Sequence, residues 1–66
     1  MRVSVEYHGK HLYVDSDGPI SINEVLERLG IHSSTVLAVH DETIVPHTSV
    51  ISDDLGINLV AVSSGG

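Results

Sequence analysis

A chain of 66 residues holds one domain at most, because domains run from about 50 residues upward and a chain this short buries only about 60% of the surface its unfolded form exposes. A hydrophobic share of 41% is enough for a folded core and excludes a disordered segment. Three basic residues (Arg2, Lys10, Arg28) against nine acidic ones leave a net charge of −6, which repels phosphate backbones and speaks against direct nucleic-acid binding while suiting a basic protein partner.

Cysteine is absent, which removes disulfides, thiolate catalysis and cysteine-ligated zinc, and makes a reducing cytoplasm the expected compartment. The opening residues Met-Arg-Val-Ser-Val-Glu-Tyr alternate polar and apolar. Neither a signal peptide nor a membrane span is expected from them.

Along the chain, Val3, Val5 and Tyr7 fall on one parity and Arg2, Ser4 and Glu6 on the other, the period of a half-buried strand over 2–7. His8-Gly9-Lys10 reads as a tight turn, and 11–15 alternates again with Leu12 and Val14 on one side, so the first 15 residues predict a β-hairpin. Asp15-Ser16-Asp17-Gly18-Pro19 breaks it. Ser21-Ile22-Asn23-Glu24 then spells a capping box, with Ile20 and Val25 placed as a hydrophobic staple. Ile22, Val25, Leu26 and Leu29 form one apolar stripe and Gly30 supplies the stop, predicting a helix over 21–29.

Thr35–His40 is apolar on both parities, as an interior strand would be. A turn at His40-Asp41-Glu42 leads to a short Thr43–Val45 strand ended by Pro46. Residues 47–56 read as a loop with Val50 and Ile51 tucked beneath it, and Ile57–Val62 as a second interior strand. Ser63-Ser64-Gly65-Gly66 has nothing to pack and reads as a flexible tail, giving a domain over 1–62 and a tail over 63–66. Two apolar strands need interior places in a mixed sheet of four to five strands covered by a single helix. An α+β β-grasp with the last strand parallel beside the first meets that need.

Few of these residues spell chemistry. His8 and His11 flank the first turn, and His40 and His47 flank the short strand. No zinc-ligand spacing joins them, so they read as turn residues and no metal is expected. Ser33 and Ser34 beside His32 sit in a loop, and triads are defined by geometry, not adjacency. Asp41/Glu42 and Asp53/Asp54 read as solvated turn acids, and the scattered glycines cradle no phosphate. No catalytic residue is expected. On the residues alone, the Gly65-Gly66 end reads equally as a frayed terminus or as a tail without side chains that threads a narrow channel and delivers the Gly66 carboxylate to a partner's active site.

In this order, three stretches resemble the ubiquitin-like sulfur-carrier and small-modifier family. They are Asn23-Glu24-Val25-Leu26-Glu27-Arg28-Leu29-Gly30-Ile31, the strand pair from Thr35 to Pro46, and the ending Ile57-Asn58-Leu59-Val60-Ala61-Val62-Ser63-Ser64-Gly65-Gly66. That family includes the thiamine sulfur carrier, the small subunit of molybdopterin synthase, the ubiquitin-related modifier and small prokaryotic modifiers. One departure is local: many relatives carry Gly-Asp before the last strand, whereas Gly56 here is followed by Ile57.

The resemblance implies a carrier and not an enzyme. An ATP-dependent activating enzyme would adenylate Gly66, with Gly65, Ser64 and Ser63 threading into it, and no cofactor would be bound by the chain itself. The product would be a thiocarboxylate serving a sulfurtransferase or thiolation enzyme, for tRNA, thiamine or molybdopterin, or an isopeptide to target-protein lysines. Lys10, the sole lysine, is the one side chain on which a second copy could be built. Partner contact is expected on the sheet face away from the helix. Counting back from the tail assigns Val60, Val62, Ala38 and His40 outward, with Leu37, Val39, Ile57, Leu59 and Ala61 inward. A monomer is expected.

Overall fold

The computed structural model describes residues 1–62. Strand β1 (Arg2–Tyr7) and strand β2 (Lys10–Asp15) form the hairpin expected from their alternation, with Tyr7 opposite Lys10 and Arg2 opposite Asp15. The turn between them places His8 at φ 50° and Gly9 at φ 76°. Both central residues are left-handed, as the two-residue turn that matches strand twist requires, and glycine and histidine tolerate that region better than most.

After a two-residue strand β3 (Ile20–Ser21), helix α1 runs Ile22–Leu29. Ser21 is its N-cap, its hydroxyl accepting the Glu24 N–H at 3.2 Å. The reciprocal half of the capping box does not form: the Glu24 carboxylate turns toward Arg28 one turn on, at 4.0 Å. Gly30 at φ 74° closes the helix, its N–H donating to the Glu27 carbonyl at 3.1 Å. A 3-10 turn over Ser33–Thr35 then leads into β4 (Val36–His40), so Thr35 stands just before the strand predicted to include it.

Strand β5 (Thr43–Val45) follows a second two-residue turn, with Asp41 at φ 54° and Glu42 at φ 65°. The region 47–56 departs from the expected loop. Val50–Ile51 is a short strand, β6, paired antiparallel with β3, and the last strand, β7, begins at Leu55 and runs to Ala61. Ile51 is buried as expected, whereas Val50 is 64% exposed, because adjacent residues of a strand face opposite ways.

The main sheet has the order β2-β1-β7-β4-β5. β1 and β7 are parallel at its centre and every other neighbour is antiparallel. Val3, Val5, Ile57 and Leu59 face the helix from these central strands, meeting Ile22, Val25 and Leu26 in one aliphatic core that also takes in Ile20 and Ile51. The helix N-terminus is tied down by the segment after β5. Ile22 N–H donates to the Ser49 carbonyl at 3.1 Å and Asn23 N–H to the His47 carbonyl at 2.9 Å. The first helical amides, which lack partners within the helix, are thus satisfied by the chain itself. Among the described residues no helix is long and apolar enough to cross a membrane.

Two substitutions test this local reading. Ser21→Ala removes the acceptor for Glu24 N–H and should cost about 1 kcal/mol, lowering the melting temperature by roughly 4–8 °C in a domain this small. Glu42→Gly relieves a left-handed residue with a Cβ and should raise stability by about 0.5–1 kcal/mol, read in urea denaturation as a higher midpoint at unchanged slope.

Candidate functional site

The face of the sheet away from α1 is built by strand parity. On β7, Leu55, Ile57 and Leu59 point to the core, leaving Gly56, Asn58 and Val60 outward. The antiparallel register sets Val60 opposite Leu37 and Asn58 opposite Val39, and Val39 in turn stands opposite Ile44 of β5. Directly opposed residues share a face. Val60, Leu37, Val39 and Ile44 therefore make one apolar strip across three strands, with Val60 48%, Leu37 37% and Ile44 63% exposed. The strip is the apolar part of a face that no other element of the described chain covers.

This strip corrects the expected parity of β4. Ala38 is fully buried, opposite Leu59 and Val45 on the core side, and it cannot contact a partner. Leu37 takes the outward place, and Val39 beside it is half-buried. The physical reason is that Val36-Leu37-Ala38-Val39 is apolar at every position, so period alone carries no phase. The phase comes from the cross-strand register with β7. Ala61 was expected inward, yet at the strand end it is exposed, and Val62 beyond it is half-buried.

His40 shares the core-side parity of Ala38 and is half-buried. Its Nδ1 lies 2.9 Å from the Gly56 carbonyl, which ties the end of β4 to the start of β7. A carbonyl only accepts, so Nδ1 carries the proton and His40 acts as a clamp between strands. Of the four residues expected on the contact face, Val60 alone lies in the exposed strip. Sequence reasoning missed Leu37, Val39 and Ile44. The Thr43-Ile44-Val45 alternation held the signal for Ile44, since a short edge strand buries one parity only.

The exit from the sheet is fixed by Val62, whose N–H donates to the Thr35 carbonyl at 2.9 Å. Ser63, Ser64, Gly65 and Gly66, on which the tail expectations fall, lie outside the described residues. Because β1 and β7 are parallel, with Tyr7 beside Leu59, the exit shares its end of the sheet with the His8-Gly9 turn and with exposed Lys10.

The opposite half of the outer face is polar. Arg2 Nε donates to Asp15 Oδ1 at 3.1 Å, and its guanidinium lies 5.5 Å from the centre of the Tyr13 ring. The hydrogen bond to Asp15, helped by that carboxylate's charge, holds the Arg2 pKa above its ordinary value. The Arg2 amide also donates to Asp54 Oδ1 at 2.7 Å. Among the described residues no three His, Asp or Glu side chains are arranged to hold a metal ion.

Strand order, the parallel central pair and the single crossing helix define a β-grasp fold. The chain superposes on ThiS, a thiamine biosynthesis protein from Geobacter metallireducens, with a TM-score of 0.63 at 16% identity, over 96% of this chain and 99% of that one. It also superposes on ATBAG1, solved in complex with HSP70, with a TM-score of 0.71 at 14% identity over 92% of this chain, which spans 40% of that longer protein. No family model and no curated protein matches the sequence. At these identities the likeness is one of fold: the chain has a ThiS-like β-grasp.

Adjacent residues of β4 test the parity. Ala38→Glu places an unpaired charge in the core and should leave the chain unfolded at room temperature by circular dichroism. Leu37→Glu, one residue away, should hold stability within about 1 kcal/mol.

Proposed function

We propose that this chain is a sulfur carrier of the ubiquitin-like kind, activated at Gly66 by an ATP-dependent enzyme and itself without catalytic residues. The observation that carries the reading is a fold matched with ThiS over 96% of this chain and 99% of that one, in a sequence that places Gly65-Gly66 three residues after Val62, the last residue bonded by its backbone across to the Thr35 carbonyl. The apolar strip supports it, since Leu37 and Val60 lie next to the exit from which a threaded tail would leave. A partner that grips the strip would sit beside Val62, where the tail begins.

The chemistry follows from the tail. A carboxylate is a poor electrophile, so Gly66 attacks the α-phosphate of MgATP, releasing pyrophosphate and forming an acyl-adenylate on the activating enzyme. A persulfide on the sulfur-donating partner then displaces AMP to give an acyl disulfide. A second thiol of that partner cleaves it, leaving a disulfide on the partner and one oxygen and one sulfur on the acyl carbon; free sulfide displacing AMP gives the same thiocarboxylate directly. Glycine at both final positions keeps the tail free of Cβ atoms that a narrow channel would reject. The thiocarboxylate is a nucleophile held on a carrier, suited to a thiolation enzyme acting on tRNA. Transfer of the same adenylate to a lysine amine instead would make an isopeptide, the protein-modifier role.

The test is intact mass after incubation with MgATP, a sulfur donor and the host's activating enzyme. A gain equal to the replacement of oxygen by sulfur is expected, absent when Gly65-Gly66 is deleted and slowed by Leu37→Glu. An adenylate or lysine adduct with no sulfur would move the reading to a dedicated modifier. An unchanged mass, with the enzyme active on another carrier, would overturn both.

A further inference from the structure

The two edges of the main sheet are unlike. β5 is three residues long and Pro46 follows it at once, the kind of short, proline-ended edge that resists further pairing. β2 has six residues, no proline and an unbroken register against β1. Among the described residues no strand lies on its other side.

The direction of its free groups can be read from its end. Ser16 N–H donates to the Met1 carbonyl and the Met1 amino group to the Ser16 carbonyl, both at 2.9 Å. Even-numbered residues of β2 therefore turn their main-chain groups to β1, and His11, Tyr13 and Asp15 turn theirs outward. Arg28 agrees with this, since it reaches the Asp15 carbonyl from outside at 2.9 Å. A carbonyl has two lone pairs and can accept a second donor.

We propose that this edge pairs antiparallel with the same edge of a second copy, about a twofold axis passing through Tyr13 perpendicular to the sheet. A continuous sheet keeps outer face beside outer face, so odd residues must oppose odd residues. Only the register centred on Tyr13 uses all three outward residues: His11 opposite Asp15, Tyr13 opposite Tyr13, and Asp15 opposite His11, each exchanging both main-chain bonds. A register centred on Leu12 would leave Asp15 facing Gly9, which is left-handed and outside the strand.

The side chains favour the same register. His11 meets a carboxylate whose Oδ1 is engaged by Arg2, leaving Oδ2 to accept from the imidazole. The two Tyr13 rings, each 57% exposed, meet at the axis as a cross-strand aromatic pair. On the inner side Leu12, half-buried in one copy, meets Val14 of the other. The partner is thus a second copy, in place of the expected monomer, and the contact belongs to the weak, transient class.

The test uses the full chain at high ionic strength, where the mutual repulsion of two copies at −6 is screened. Sedimentation velocity up to millimolar protein should show a monomer–dimer equilibrium. Tyr13→Lys, which sets like charges face to face at the axis, should weaken it by about tenfold or more with an unchanged circular dichroism spectrum. With no native cysteine, Tyr13→Cys would be the sole thiol, and facing Cα atoms about 5.5 Å apart lie within disulfide reach. In a glutathione buffer it should form the disulfide dimer well ahead of Ile44→Cys. A wild-type chain that stays monomeric, a dimer that survives Tyr13→Lys, or preferential linkage through Ile44→Cys would each overturn the proposal.

Discussion

The parallel pairing of β1 with β7 is the constraint on which the molecule is built. Two parallel strands cannot be joined by a tight turn, so between Tyr7 and Leu55 the chain must at some point leave the sheet, cross it and return. The crossing element is α1, and its apolar stripe is the lid that both central strands need. Val3 and Val5 on one strand and Ile57 and Leu59 on the other are nearly inaccessible as a result. The same pairing pushes β2 to one margin and β4 with β5 to the other. It also sends the chain out of the sheet at the end that holds the first hairpin turn, so the place where Val62 leaves the sheet is a consequence of the core.

A chain of this size has little stability to spare, roughly 3–10 kcal/mol at typical values per residue, and no disulfide supplements it. Its economy shows at the helix start. Helix α1 is eight residues long, too short to persist alone in water. Its first amides are satisfied in three ways: Ile22 by Ser49, Asn23 by His47 and Glu24 by the Ser21 hydroxyl. The β3–β6 pair fastens that segment at Ile20 and Ile51, both buried. A stretch without period thus holds the helix against the sheet.

Legibility in the sequence followed from how much each element reveals by itself. The hairpin and the helix were readable because their periods, the capping serine and Gly30 are local signals. β3 and β6 were not, since two residues carry no period, and their pairing joins positions some thirty residues apart. The start of β7 at Leu55-Gly56 was hidden by Asp53-Asp54 before it and by a glycine, which β-propensity disfavours. The outer face was half legible for a related reason. Val60 could be placed from β7, whose core parity Ile57 and Leu59 share with the strand beside it. β4 offered four apolar residues in a row, and only its register with β7 decides that Ala38 lies inside and Leu37 outside.

Charge and topology then divide the outer face into a polar half and an apolar half. Two of the three cations converge on one acid: Arg2 bonds the Asp15 carboxylate and Arg28 its carbonyl. The polar half over β2 and β1 carries the Arg2–Asp15 ion pair, while the apolar half over β7, β4 and β5 is bordered by Asp41 and Glu42 in the turn next to Ile44. A surface that covers Leu37, Ile44 and Val60 has to bring an apolar centre and a basic margin together, because an acidic one would meet an unneutralised rim. Since Val60 lies in β7 and Val62 follows directly on its end, any such surface also lies beside the exit from the sheet. The strip and the exit from the sheet depend on a single strand whose inner side belongs to the core, so weakening the core at Ile57 or Leu59 would disturb both together.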